Sequence, residues 1–229
     1  MMNYLSHSIA DGATNMATDE ALLLCCTTPI LRTYDWIIPT VSLGKAQAAT
    51  DILPKVPFIR RPTGGRAVYH DSQSEITYGI VKKTTDQKVS YQENCAIIIN
   101  LLEKIDIKAN LATNGDILVK KKKIAGNAQV YQNGSVLQHG TLLIEQQEYR
   151  KAARVLRITA EALKKQTTYL NEHITITKKE VEKLFKQQGK ARELEQKERE
   201  IRDILLTTKY QTKEWNQGGV ISKGACYTQ

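Results

Sequence analysis

The chain has 229 residues, 41% hydrophobic and 25% charged, which is ordinary globular usage and excludes wholesale disorder. Lys and Arg outnumber Asp and Glu by 33 to 24, a net charge of +9 that invites an acidic protein, a nucleic acid or anionic small molecules as partners. The longest apolar runs, 21–26 and 95–102, are far short of the ~20 residues of a membrane span, and no basic block with an apolar core opens the chain, so a cytoplasmic protein with no membrane partner is expected. Tyr, Lys and Arg do not alternate as a base-stacking platform would, and no nucleic acid is expected. Cys25, Cys26, Cys95 and Cys226 form no CxxC pair, which argues against zinc and against a disulfide framework.

Taken in chain order, residues 14–26 read as a helix capped by Thr14 or Asn15, with Met16, Ala17, Ala21, Leu22 and Leu24 on its apolar face. Residues 31–34 and 40–43 read as short strands separated by Pro39. A strand over 57–61 stops at Pro62, Thr63-Gly64-Gly65 is a turn, and 67–70 and 76–81 are the next strands. Residues 91–104 have helical spacing. Strands over 117–119 and 124–131 are joined through the lysine run 120–123, and Asn133-Gly134 predicts a hairpin leading into a strand over 136–144. Beyond Glu145 the pattern turns helical: one helix over 148–165, a capping box at Thr177 and Glu180 opening a helix that Gly189 ends, and a charged helix over 191–206. Strands first and helices after predict an α+β domain.

Two stretches carry candidate chemistry. In Arg60-Arg61-Pro62-Thr63-Gly64-Gly65-Arg66 the glycines permit φ > 0 and close backbone approach, while arginines grip carboxylate or phosphate; the alternative is a hairpin turn with a basic rim. In Lys123-Ile124-Ala125-Gly126-Asn127-Ala128-Gln129, simple alternation sends Lys123, Ala125, Asn127 and Gln129 to one face, where small neighbours leave room for a slim ligand. His139, a polar step in an apolar strand, reads either as a satisfied core histidine or as part of that site.

RRPTGGRAVYHD at 60–71, KIAGNAQ at 123–129 and VLQHGTLLI at 136–144 resemble the biotin/lipoate ligase and octanoyltransferase superfamily. NMATDEALL at 15–23, LRTYDW at 31–36, VSLGKAQ at 41–47 and TTKYQTKEWN at 207–216 fit in the same order, so the resemblance spans nearly the whole chain. It implies a mixed β-sheet flanked by helices, class II synthetase-like, with residues 1–229 forming one catalytic domain without an accessory C-terminal domain. It further implies that Arg60, Arg61, Gly64, Gly65, Arg66, Val68 and His70 surround an acyl ligand. Gly126, Ala128, His139 and Gly140 would line the neighbouring strands, with Lys123 at the reacting carbonyl and Asp116 near nucleotide and metal.

Two chemistries are implied. A lipoate–protein ligase makes lipoyl-AMP from lipoate and ATP with Mg²⁺ and passes the acyl group to a lysine; an octanoyltransferase takes it from an acyl carrier protein onto a cysteine. The wording of LRTYDW and KYQTKEWN is closer to the transferase branch, yet the loop that holds that branch's nucleophile, KANLATNGD at 108–116, has no cysteine, and Leu111 stands near its place. Ligases usually carry Arg-Asn-Asp where this chain has Asn114-Gly115-Asp116, and a hairpin glycine where it has Lys121. The ligase is the leading expectation; octanoyl transfer and a non-catalytic lipoate-binding subunit are the alternatives. Implied partners are acidic lipoyl domains of 2-oxoacid dehydrogenases or the glycine cleavage H protein, with a separate accessory subunit as a further candidate.

Overall fold

A computed structural model describes residues 2–53, 55–71 and 73–218. In chain order the elements are β1 (Asn3–Ala10), α1 (Gly12–Cys25), β2 (Ile30–Trp36), β3 (Thr40–Leu43), β4 (Phe58–Arg60), β5 (Val68–His70), β6 (Glu75–Lys83), α2 (Gln87–Glu103), β7 (Asn110–Leu111), β8 (Ile117–Val119), β9 (Lys122–Gln132) and β10 (Ser135–Leu143). They are followed by α3 (Tyr149–Leu156), α4 (Ala160–Gln166), α5 (Lys178–Lys186), β11 (Lys190–Arg192) and α6 (Gln196–Leu205), then π-helical turns over Leu206–Tyr210 and Glu214–Gly218.

The strands make a mixed eight-stranded sheet, ordered β11-β1-β2-β6-β10-β9-β8-β7, and a small sheet ordered β4-β3-β5. Strands β2 and β10 are almost wholly buried along their length because helices cover both faces of the sheet, and their polar residues, Arg32, Thr33, Asp35, Gln138 and His139 among them, are buried with the apolar ones. On one face, α2 and α5 bury Ile98, Leu101, Leu102, Val181 and Phe185 against Ile76, Tyr78, Ile80, Ala125 and Leu142. On the other, α1 lays Met16, Ala17 and Ala21 against Tyr34, Trp36 and Ile59, which joins the large sheet to the small one. A mixed sheet flanked by helices is thus what the fold reading expected.

Local signals held where they were strong. Thr177 and Glu180 form a reciprocal capping box at the start of α5. Asn133 and Gly134 take φ of +50° and +74°, the left-handed pair that a two-residue hairpin between twisted strands demands.

Several expectations are corrected. Helix α1 starts two residues early, capped by Asp11, whose carboxylate accepts from the Thr14 amide, so Thr14 and Asn15 lie inside it. The helix expected over 148–165 is two helices, because Arg157 at φ +55° breaks it. Residues 190–192 are not helical but add β11 in parallel to β1, a strand that local patterning did not disclose. Gln187, not Gly189, caps α5; Gly189 is needed because a Cβ there would lie 2.8 Å from the Met2 carbonyl oxygen.

Gly140 and Gly134 separate two uses of glycine. A Cβ on Gly140 would sit 2.5 Å from the Gly126 carbonyl and the Tyr78 hydroxyl, whereas one on Gly134 meets nothing within 4 Å. Gly140→Ala is expected to cost ~1–3 kcal/mol through overpacking, with a fall in thermal midpoint of roughly 2–4 °C per kcal/mol. Gly134→Ala should cost ~1 kcal/mol through its backbone alone. Thermal unfolding of both variants checks the order.

Candidate active site

Strand β4 delivers Arg60 and Arg61 in succession, so their side chains leave on opposite faces of the small sheet. The Arg61 guanidinium folds back over the following turn. Its Nε donates to the Thr63 hydroxyl (3.1 Å), Nη2 donates to the Gly64 and Arg66 carbonyls (2.6 and 2.8 Å), and Nη1 donates to the carbonyl and hydroxyl of Ser42 (2.9 and 3.2 Å). It is buried with no carboxylate partner among the described residues, and burial pulls its pKa down to about 10. Gly65 closes the turn at φ +90°. Gly44, which motif reading did not single out, must be glycine because a Cβ there would lie 1.9 Å from the Gly65 carbonyl oxygen.

Arg60 points the other way and is engaged elsewhere. Its Nε, Nη1 and Nη2 donate to the backbone carbonyls of Trp215, Gly44, Lys45, Gln47 and Asn216. The expected grip of Arg60 on a ligand does not fit these contacts, which fasten the C-terminal turns to the edge of the site. Arg66 is exposed on the rim, and Val68 pairs with Ser42 across the small sheet.

Two relays meet at Arg61. In the first, Thr63 Oγ1 lies 2.7 Å from His139 Nε2, and His139 Nδ1 lies 2.9 Å from Asp19 Oδ2. Asp19 also accepts from Tyr34 (2.9 Å) and pairs with Arg32 (2.9 Å). In the second, Ser42 Oγ lies 2.8 Å from His70 Nε2, and His70 Nδ1 lies 2.7 Å from Glu75 Oε1. Trp36 stacks on the His70 ring at 4.1 Å and donates to Thr77. Each hydroxyl accepts from Arg61 on one side and is hydrogen-bonded to an imidazole on the other, so the turn and both strands are locked in one arrangement.

Lys123 stands on a different footing from that expected. The β8–β9 register slips between Ile117 and Leu118: Ile117 faces Ala125 while Leu118 faces Lys123. The bulge sends both Ile124 and Ala125 into the core and leaves Lys123 on the face of Gly126 instead. The expected grouping of Lys123 with Ala125, Asn127 and Gln129 is therefore wrong. Lys123 Nζ pairs with Asp116 Oδ1 at 2.8 Å, and a Cβ on Gly126 would lie 2.5 Å from that ammonium. Cross-strand pairing puts Gly126 beside Thr141 and Ala128 beside His139, so the ammonium over Gly126 and the first relay share one sheet face, the backbone positions of Thr141 and His139 lying about 7 Å apart along β10. On the reverse face, Asn127 accepts from the Tyr78 hydroxyl beneath Gly140.

The described thiols lie away from this face. Cys95 is buried on the reverse side, accepts from Gln138 at 3.2 Å, and is pushed by burial up to about 11. Burial also raises Cys25 and Cys26, at the far end of α1. Cys226 lies outside the described residues. No group of three or more His, Cys, Asp or Glu able to hold a metal occurs among the described residues. Asp116 alone fits the mode of Mg²⁺, which takes one carboxylate and completes its shell from water and substrate phosphates. A cavity of about 880 Å³ adjoins the Glu75 end of the second relay, where Gln147 donates to Glu75; Lys123 does not line it.

Asp19, Ser42 and Glu75 join Thr63 in these relays, yet patterning did not mark those three as chemical residues. Asp19 and Glu75 are buried carboxylates, which a sequence shows only once their partners are known. Asp19→Ala, which leaves the Arg32 guanidinium buried and unpaired, is expected to cost ~3–5 kcal/mol in urea unfolding. Desolvation also holds His139 below the ordinary 6.5, so the unfolded chain takes up a proton before the folded one. This stability is complete above about pH 6.5 and is lost as the pH falls below it; the thermal midpoint should decline on acidification, and less so in His139→Gln.

The model of the lipoyl protein ligase A/B catalytic domain matches residues 11–192. Relatives named octanoyltransferase LipM are 30% identical: that of Carboxydothermus hydrogenoformans over 263 aligned positions, covering 93% of this chain and 97% of that one, and that of Halalkalibacterium halodurans, covering 90% and 95%. The fold is that of lipoate-protein ligase A bound with ATP (TM-score 0.84, 22% identity, 96% of this chain and 100% of that one). It is also that of a bipartite lipoate protein ligase of Thermoplasma acidophilum, described with its E2 lipoyl domain (TM-score 0.86, 23% identity, 98% and 100%). Sequence and architecture agree: the chain belongs to the lipoyl protein ligase A/B catalytic domain family, a family of lipoate ligases and octanoyltransferases.

Proposed function

We propose that the chain attaches lipoate to a lysine of a lipoyl domain by way of lipoyl-AMP. The observation that carries this reading is the Lys123–Asp116 pair, 2.8 Å apart on the sheet face of the His139 relay, with every described thiol buried elsewhere or pushed away from its thiolate. Adenylation needs no enzyme nucleophile. The lipoate carboxylate displaces pyrophosphate from the α-phosphate, and the acceptor amine then adds to the acyl carbonyl and expels AMP.

Both steps build negative charge on oxygen, and a fixed cation beside those oxygens stabilises the transition state more than the ground state. Lys123 supplies that cation. Asp116 holds the ammonium in place over Gly126, where the missing side chain leaves the space it occupies. Arg61, kept cationic without a carboxylate neighbour, adds positive potential behind the turn. Bound at Asp116, Mg²⁺ would supply charge neutralisation to the phosphates.

A second reading follows from the relatives named octanoyltransferase LipM: octanoyl moves from acyl carrier protein to the lipoyl domain. A donor comparison by intact mass separates the two. Free lipoate with Mg-ATP is expected to add a lipoyl group to the acceptor domain, whereas octanoyl-acyl carrier protein alone is not. The reverse outcome, with an acyl adduct on the enzyme, replaces ligation by transfer. Lys123→Ala should lower turnover at least ~100-fold with an unchanged thermal midpoint. Cys25→Ser/Cys26→Ser/Cys95→Ser should retain activity within about twofold of the parent, since no thiolate is required.

A further inference from the structure

The hairpin between β8 and β9 is closed by Lys120 and Lys121, both exposed, at φ +48° and +68°. This is the left-handed pair that Asn133-Gly134 fills at the next hairpin with residues suited to it. Lysine is disfavoured in that region because its Cβ crowds the following carbonyl. Nothing local favours it here either: among the described residues neither side chain has a carboxylate partner, and the neighbouring Lys122 has none. Three cations are thus held together within three residues of Lys123 on a turn whose backbone geometry favours Asn-Gly.

We infer that the Lys120–Lys121 tip is the docking contact for an acidic acceptor domain, which it holds while that domain's lysine reaches the acyl group at Lys123. The inference rests on the proposed ligation. Under that reading an acceptor protein must bring its lysine to Lys123. A lysine side chain spans only ~6 Å, so the acceptor's surface must settle close to the ammonium over Gly126, and the turn lies on the same β8–β9 hairpin about 16 Å along β9 from that glycine, within the footprint of one docked domain. A net charge of +9 steers an acidic domain towards the enzyme; the tip gives that attraction a fixed place.

The test is the double variant Lys120→Asn/Lys121→Gly, which keeps the turn and removes two charges. Binding of an isolated acidic lipoyl domain is measured by calorimetry at 50 mM and 300 mM salt. The variant is expected to bind about three- to tenfold more weakly at low salt, with a shallower salt dependence and an equal or higher thermal midpoint. Lys120→Glu/Lys121→Glu should weaken binding further. Unchanged affinity and salt dependence in both variants overturns the proposal, as does binding of acyl carrier protein in preference to the lipoyl domain. Lipoyl hydroxamate formed from lipoate, Mg-ATP and hydroxylamine, without acceptor protein, should be equal in parent and variant. Its absence from the parent would remove the ligase reading, while the binding measurement would still decide where the domain docks.

Discussion

A buried guanidinium with no acid beside it among the described residues is costly, and Arg61 is tolerated because every donor direction is met by a carbonyl or a hydroxyl. Its counter-charges stand one imidazole further away, at Asp19 and Glu75, so the compensation runs through Thr63–His139 and Ser42–His70. The turn over 63–66, the small sheet and the centre of the large sheet therefore cannot move separately. Loss of any link leaves a buried polar group without a partner, which costs more than the hydrogen bond itself contributes. Rigidity of this kind holds the groups on both strands in fixed positions.

The bulge in β9 has a similarly wide effect. Without it, strand alternation would put Lys123 and Ala125 on one face, and the ammonium could not lie over Gly126. With it, Lys123 joins the face of His139 and Thr141, and the core takes two apolar residues in succession. Cys95 is left behind the sheet against Gln138, where desolvation keeps it a thiol. The bulge thus brings a cation and a carboxylate to one face of the sheet and leaves the Cys95 thiol on the other.

The motif TTKYQTKEWN at 207–216 works as a fastening. Lys209 and Tyr210 meet Glu20 on α1 at 2.7 and 2.6 Å, and Lys209 lies over the Trp215 ring at 4.1 Å. Trp215 in turn donates to the Arg60 carbonyl while Arg60 donates to the Trp215 carbonyl. Residues remote in sequence thus hold the edge of the turn over 63–66, which accounts for the burial of Arg60.

The sequence by itself determined what depends on a few neighbouring residues. Asn133-Gly134, the capping box at Thr177, the glycine turn before Arg66 and the order of the motif blocks were all legible, because turn dihedrals and caps are satisfied within four or five residues. Tertiary structure alone decided which face Lys123 occupies, since a one-residue slip between β8 and β9 inverts the alternation and leaves no mark in composition. It also decided that Arg61 organises the turn while Arg60 clasps the C-terminal segment, two fates for adjacent and identical side chains. Parallel pairing of β11 with β1, and the meeting of Asp19 with His139 across 120 positions, required the whole chain to collapse first. Buried charges find partners by proximity in space, and sequence distance carries no information about that.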